Sequence, residues 1–477
     1  MADGKKRVLV VTFDALRPDM VTSELMPNLS AFADQGGRFT HNRSTFPTET
    51  RVNQTALVTG CYPSRHGIVG NRFWEPIASP EKLFNTGDED QLSEGIRRLE
   101  GRLTDVPVLG EILAEHGKSL AVISSGTPGG TRMLHHKAEE LDGFRLSLRR
   151  PDTSVPADLS KRLAPIPPHT VPSFDWLTYA TDTYLNVVEA ERKPDVAILW
   201  YCEPDNSYHA LGPGAPENLA AIRYADAEFG RVLAALKGED INIITLSDHG
   251  QLGIPEEAID LPAKLSAAGF PAGEALTEGI DIVVALSSAG GLYVRDSNLD
   301  MIRYVVEWLL KQPWCGPLFT REGAVPGTLD LADVGLDHRR APDIGLVLRS
   351  SDSANAHGIL GTTVHNSIYP PGGGIHGGLH AKELHSWLAV GGTAFRKAYI
   401  SDTPTGIIDI LPTMLHVLGV KAPPVDGRVL VEALVNGGDA PETKSEALSS
   451  ETANGHQTQL EISHVAETRY LEWGKLN

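Results

Sequence analysis

Residues 7–14 read Arg7-Val8-Leu9-Val10-Val11-Thr12-Phe13-Asp14. This near-continuous apolar run is the pattern of a strand buried on both faces, as in a parallel sheet covered by helices on either side. It stops at a carboxylate. In open α/β sheets ligand chemistry collects beyond the carboxyl ends of the strands, so Asp14 is a candidate metal ligand. The same pattern recurs. Val196-Ala197-Ile198-Leu199-Trp200-Tyr201 runs into Cys202-Glu203-Pro204-Asp205-Asn206-Ser207-Tyr208-His209, and the strand Asn242–Leu246 ends in Ser247-Asp248-His249-Gly250. Strand after strand ending in Asp or His predicts an α/β fold with a mostly parallel central sheet flanked by helices and its site along one sheet edge.

Helices fill the intervals. Met26-Pro27 opens one that runs to Gln35, and Gly36-Gly37 closes it. Val106–His116, Phe174–Ala190 and Glu217–Leu236 are further helices, and Ser119–Ser124 is a strand. Residues 1–250 read as the first part of a catalytic core, with residues 72–104 as a loop insertion and 152–172 as a loop. Residues 251–341 read as an inserted cap, holding a strand pair (Ile280–Ser287, Gly291–Val294) and a helix, Leu299–Gln312. The core resumes over 342–436 with strands Ile344–Leu348 and Trp387–Val390, a flexible loop 372–378 carrying His376, and a helix Ile407–Leu418. Residues 437–477 form a C-terminal extension. Its first part, to Thr458, is polar and expected to be mobile; Leu460–Trp473 is apolar enough to form strands that cover the body or a partner subunit.

Working outward from the strand ends, the stretch Phe46–Asn71 carries most of the functional reading. Arg51–Val58 is a short helix closed by Gly60 and Pro63, which places Thr50 at its N-cap. A hydroxyl there faces unpaired backbone N–H groups and the positive end of the helix dipole, a setting that suits an anion or an oxygen nucleophile. A capping threonine is equally compatible with this stretch taken alone. His135-His136 is read as a surface pair, since adjacent residues on a helix point in different directions.

The chain has 477 residues, 41% apolar and 22% charged, and a formal charge of −19 from 42 Lys plus Arg against 61 Asp plus Glu. An acidic surface argues against a nucleic-acid polymer or anionic membrane as partner. It does not oppose a local positive pocket made by metal ions. The three cysteines, Cys61, Cys202 and Cys315, are too few for a disulfide framework. Residues 1–7 are a polar lead without an apolar leader core, and no apolar run approaches the ~18 residues of a membrane span. A cytoplasmic location and a small-molecule substrate are the corresponding expectations, with a homo-oligomer open through the C-terminal extension.

Asp14, Asp205, Asp248, His209, His249 and His376 match the carboxylate and imidazole ligands of Zn²⁺, with Mn²⁺ or Fe²⁺ as alternatives. Six ligands exceed what one catalytic zinc takes, so two divalent ions are expected, with Thr50 bound to one. Two ions about 4 Å apart can clamp an in-line displacement at phosphorus. Thr50 would then be the nucleophile of a covalent phospho-threonine mechanism, with the Asn53 amide and the Arg51 backbone N–H on a nonbridging oxygen.

These residues resemble the alkaline phosphatase superfamily and, within it, the type I phosphodiesterase/nucleotide pyrophosphatase branch, near phosphonoacetate hydrolase-like enzymes. The matching segments are Phe13-Asp14, Thr50 to Asn53 with Val58-Thr59-Gly60 and Tyr62-Pro63, Glu203-Pro204-Asp205 to His209, Ser247-Asp248-His249-Gly250, Ile375-His376-Gly377 and Asp409–Thr413. The resemblance implies one metal site of Asp205, His209 and His376 and another of Asp14, Thr50, Asp248 and His249, with Asn53 as the phosphate-binding Asn. Two positions depart from the branch: Tyr208 where Gly usually precedes the His, and Arg51-Val52 where Phe-Pro is common. The implied activity is hydrolysis of a phosphodiester or related phosphoryl ester. Phosphonoacetate-type C–P cleavage and phosphomonoester hydrolysis are the alternatives on the same metal site. Cys61-Tyr62-Pro63-Ser64-Arg65 spells the sulfatase modification signal, but it follows Thr59-Gly60 instead of preceding it, so formylglycine chemistry is not expected.

Overall fold

The structure, a computed structural model, describes residues 6–150 and 154–477; residues 1–5 of the polar lead and the first residues of the 152–172 loop lie outside it. In chain order the main strands are β1 (Arg7–Phe13), β2 (Gly37–Arg43), β3 (Leu120–Ser124), β4 (Phe144–Ser147), β5 (Val196–Tyr201), β6 (Ile241–Leu246), β7 (Ile282–Leu286), β8 (Ala289–Val294), β9 (Cys315–Thr320), β10 (Ile344–Leu348), β11 (His385–Gly391), β12 (Tyr399–Ser401), β13 (Thr443–Glu451), β14 (Gln457–Val465) and β15 (Thr468–Leu476). The helices that matter here are α1 (Pro27–Gln35), α2 (Thr50–Thr59), α3 (Leu109–Glu115), α4 (Phe174–Thr183), α5 (Asp205–Leu211), α6 (Pro216–Ala235), α7 (Leu299–Leu309) and α8 (Ile410–Val417).

The central sheet has nine strands in the order β12-β2-β11-β6-β1-β5-β3-β4, with the short strand Thr405–Gly406 also on β2. β6, β1, β5, β3 and β4 are mutually parallel, while β11 runs antiparallel to both β6 and β2. The alternation along β1 explains why both faces are covered. Leu9, Val11 and Phe13 pack with Leu29, Leu177, Ala180, Phe229 and Val232 of α1, α4 and α6. Val8 and Val10 pack on the other face with Ala56, Leu57, Leu113, Leu411 and Met414 of α2, α3 and α8. Each fully buried Val or Leu contributes about 1.5–3 kcal/mol, so this double coverage holds β1 rigidly at the centre.

A second sheet of six strands is built around β7, β8, β10 and β9, with α7 packed against it. Here the sequence reading is corrected: Ile344–Leu348 does not return to the central sheet but pairs antiparallel between β8 and β9. A buried apolar run looks alike in either sheet. The 72–104 segment is likewise not a plain loop, since Glu89–Arg98 is a helix capped by Asp88, whose side chain accepts from the N–H groups of Asp90 and Gln91. The polar residues 443–451 form strand β13, and with β14 and β15 they make a three-stranded antiparallel sheet. Leu460 and Ile462 of this sheet pack on Phe319, Leu331 and Leu379. Among the described residues no helix is long and apolar enough to cross a membrane.

Candidate active site

Neighbouring parallel strands β6, β1 and β5 deliver the acids. Asp14 follows β1 directly, Asp248 and His249 lie just beyond β6, and Asp205 opens α5 after β5. His209 lies one turn along α5, so its Nε2 reaches the Asp205 Oδ1 at 3.2 Å. His376 comes in from the far side, next to the two-residue strand Gly374–Ile375, which pairs with Leu252-Gly253. The 372–378 segment expected to be a flexible loop is therefore partly strand, and its His is buried.

Two groups of side chains place their ligand atoms within 4.8 Å of one another: Asp205, His249 and His376, and Asp14, Asp248 and His249. His249 Nε2 stands 3.2 Å from Asp248 Oδ2 and 3.7 Å from Asp14 Oδ1, while His376 Nε2 stands 3.6 Å from Asp205 Oδ1. The imidazoles are all turned the same way. Their Nδ1 atoms lie 2.8 Å from the Gly374 carbonyl for His209, 3.0 Å from Gly250 for His249 and 2.7 Å from Thr48 for His376. A carbonyl can only accept, so each Nδ1 carries the proton and each Nε2 lone pair is left for the centre. The His249 and His376 rings stack at 3.8 Å, as neutral imidazoles can.

The acids are held in matching fashion. Trp200 Nε1 donates to Asp14 Oδ2 at 2.8 Å, and the Cys202 thiol lies 3.6 Å from the same oxygen. The Ala15 N–H donates to Asp248 Oδ1 at 3.1 Å, from a backbone in the left-handed region at φ 61°. For a residue with a Cβ that conformation is strained, and the strain aims the N–H at the carboxylate. What remains is one buried oxygen on each acid without a hydrogen-bond partner: Asp14 Oδ1, Asp205 Oδ1 and Asp248 Oδ2. Burial and the mutual repulsion of Asp14, Asp248 and Asp205 push the Asp14 carboxyl well up. Burial, with Asp205 adding to it, pushes Asp248 up to about 8. Burial drives His249 down to about 3. Burial would raise the Asp205 carboxyl too, but His209 and His376 hold it down. Three acids crowded together in a buried site, with the free lone pairs of the neutral imidazoles converging on them, form a donor set that fits divalent cations.

Thr50 stands where these groups meet, its Oγ 3.1 Å from His249 Nε2. It is not the cap: Glu49, extended at φ −115°, is the N-cap, and Thr50 is the first helical residue. Helix α2 ends at Gly60, whose φ of 65° lets its N–H reach the Ala56 carbonyl. Asn53 does not offer its amide to the cleft. Its Oδ1 accepts from the backbone N–H and hydroxyl of Thr45, its Nδ2 donates to the Glu49 carbonyl at 3.1 Å, and the side chain is fully buried. It ties the 45–49 turn to α2. The polar side chain beside the Thr50 helix start is Asn71, whose Oδ1 accepts from the Arg51 N–H at 3.0 Å. Sequence spacing within one helix favoured Asn53; Asn71 returns through the Tyr62–Gly70 turns, which no helical periodicity reveals.

Cys61 sits past the opposite end of α2, about 15 Å along the helix from Thr50, with its thiol on the Thr59 carbonyl. His135 and His136 are not a surface pair. Their helix stops at Leu134, both side chains are buried, and Arg145 Nη1 donates to their carbonyls.

Such a sheet, with acids and imidazoles at its carboxyl edge and a hydroxyl at a helix start, fits a hydrolase of the alkaline phosphatase superfamily. Residues 8–351 match the family model for type I phosphodiesterase/nucleotide pyrophosphatase, and the chain belongs to that family of phosphodiester-hydrolysing enzymes. It is 24% identical over 432 residues to human bis(5'-adenosyl)-triphosphatase ENPP4, covering 88% of this chain and 80% of that protein. It is 24% identical over 233 residues to the venom phosphodiesterase CdcPDE of Crotalus durissus collilineatus, covering 47% of this chain and 24% of that protein. Among solved structures, murine ectonucleotide pyrophosphatase/phosphodiesterase 5, as an inactive variant in complex with AMP, superposes with a TM-score of 0.63 at 20% identity, over 90% of this chain and 100% of that one. None of these matches supports nearness to phosphonoacetate hydrolase.

Proposed function

We propose that this protein hydrolyses a small phosphodiester or phosphoanhydride through a covalent phospho-threonine on Thr50. The observation that carries the reading is the Thr50 Oγ at 3.1 Å from His249 Nε2, where both ligand groups meet. Asp205, His209 and His376 would hold one Zn²⁺, and Asp14, Asp248 and His249 a second, with Thr50 beside it. When bound, such ions neutralise the buried acids and supply Lewis-acid stabilisation of phosphoryl oxygens.

The chain's own residues set up the displacement. Thr50 Oγ, at the positive end of α2, is stabilised as it gives up its proton. It forms a bond to phosphorus as the bond to the leaving oxygen breaks, and the leaving oxygen takes up a proton. A nonbridging oxygen is received by the Asn71 amide N–H, which the Arg51 N–H orients through Asn71 Oδ1, the role expected of Asn53. Water then cleaves the Thr50 phosphoester and frees the hydroxyl. The names of the bis(5'-adenosyl)-triphosphatase relatives support a nucleotide-like substrate.

The test is turnover of four matched aryl esters, namely phosphodiester, phosphomonoester, phosphonate monoester and sulfate, by wild-type and Thr50→Ala protein. Intact-mass detection of a phosphoryl adduct after acid quench accompanies it. Diester preference, loss of at least about 10³-fold in Thr50→Ala, and an adduct confined to wild type are expected. Full turnover by Thr50→Ala refutes the covalent route.

A further inference from the structure

Arg51 occupies the position where the branch commonly has an apolar ring, and it is accounted for only halfway. Its backbone N–H is bonded to Asn71 Oδ1 at 3.0 Å. Its guanidinium lies against the Asn85–Gly87 turn, where a Cβ on Gly87 would fall 3.2 Å from Arg51 Cζ and 3.3 Å from Asn85 Oδ1. Its Nε is buried without a partner, and among the described residues no hydrogen bond or ion pair closes on the guanidinium. It stands near enough to Glu49, Tyr369, Asp14 and Asp205 to interact with all four electrostatically, with Glu49 most strongly. Arg51 follows Thr50 directly on α2, and the Tyr369 ring stacks on His209 at 3.9 Å, so the side chain leaves the helix at the edge of the phosphoryl pocket.

Glu49 offsets part of its charge at a distance, but a half-buried guanidinium that makes no hydrogen bond is still costly, and the cost is relieved when an anion pairs with it directly. A guanidinium fork matches phosphate and carboxylate oxygens in pairs. The charge of the reacting phosphoryl group already has receivers at the α2 start, so the Arg51 side chain is free for a different anion. We propose that Arg51 is a specificity-determining residue that binds a second anionic group of the substrate, the phosphate adjoining the reacting one in a phosphoanhydride. This rests on the reading of the site as a phosphoryl hydrolase.

The experiment compares wild type, Arg51→Gln and Arg51→Lys on bis(4-nitrophenyl) phosphate and on bis(5'-adenosyl) triphosphate. The ratio of kcat/KM for the anhydride to that for the diester is expected to fall by about 10- to 100-fold in Arg51→Gln and to recover partly in Arg51→Lys. An unchanged ratio overturns the proposal. Calorimetry on Thr50→Ala protein, with and without Arg51→Gln, reads binding apart from turnover. Arg51→Gln is expected to weaken inorganic pyrophosphate by a similar factor and inorganic phosphate much less. Equal weakening of both overturns the Arg51 assignment. Tighter binding of phosphonoacetate than of pyrophosphate overturns the choice of phosphate as the second anion. Arg51-dependent pyrophosphate binding in a protein that turns over none of these esters would sink the proposed activity while leaving the anion site in place.

Discussion

Replacing Trp200 with Phe tests whether the orientation of Asp14 governs the site. The indole Nε1 donates to Asp14 Oδ2 at 2.8 Å from a fully buried ring, and among the described residues the other hydrogen-bond donor to that oxygen is the weak Cys202 thiol at 3.6 Å. Phe keeps most of the ring volume and removes the donor. A hydrogen bond to a charged group is worth about 1.5–3 kcal/mol, which at 1.36 kcal/mol per decade is about 10- to 150-fold in an equilibrium constant. Without it, Asp14 is free to turn its unpartnered Oδ1 away from His249. Zn²⁺ affinity, measured by competition against a chromophoric chelator, is expected to drop by about 10- to 100-fold. Activity at limiting zinc should fall in parallel and recover at saturating zinc. Undiminished zinc affinity in a folded Trp200→Phe protein would refute the reasoning, because Asp14 would then not depend on its outer partner.

Arg340 makes a buried ion pair with Glu75, Nε to Oε2 at 2.8 Å, and its Nη1 also caps the Gly67 and Leu103 carbonyls. Arg340→Met strands the acid and should cost about 3–5 kcal/mol in urea unfolding, with much of it regained in Arg340→Met/Glu75→Leu. Against burial, which alone would raise it, His385 and Arg43 hold the Glu472 carboxyl down to about 2 from its ordinary 4.5. A depressed acid stabilises the fold above its unfolded value, so this contribution is present above pH 4.5 and lost as pH falls toward 2. Thermal melts across that window should show a shallower pH slope for Glu472→Gln, and an unchanged slope would sink the assignment. Cys61→Ala should keep turnover, because the thiol is buried past the far end of α2 with its hydrogen bond on the Thr59 carbonyl; a large loss in folded protein would reopen formylglycine chemistry.

The strands that build the site were readable because a strand covered on both faces is buried along its whole length and mostly apolar, as β1, β5 and β6 are. Their terminal acids stand out against those runs, so Asp14, Asp205 and Asp248 could be seen without a fold. The same feature misled at Ile344–Leu348, since apolarity reports burial and not which sheet does the burying. The polar strand β13 was missed for the converse reason, as it is exposed along most of its length and held by backbone pairing to β14. Asn53 and Asn71 show the limit most sharply. Both lie in one quoted stretch, and only the path of the 60–70 turns decides which faces the Thr50 helix start.

His249 belongs to both ligand groups at once. Two compartments that share a wall do not fill independently. Drawing the imidazole toward one side changes what it offers the other, and linkage makes that influence mutual. A metal titration of this protein should therefore follow one coupled isotherm instead of the sum of two separate ones. A variant at Asp205 should be felt at Asp14, through their direct repulsion as well as through His249. Partial loading would then be a poor measure of either half of the site.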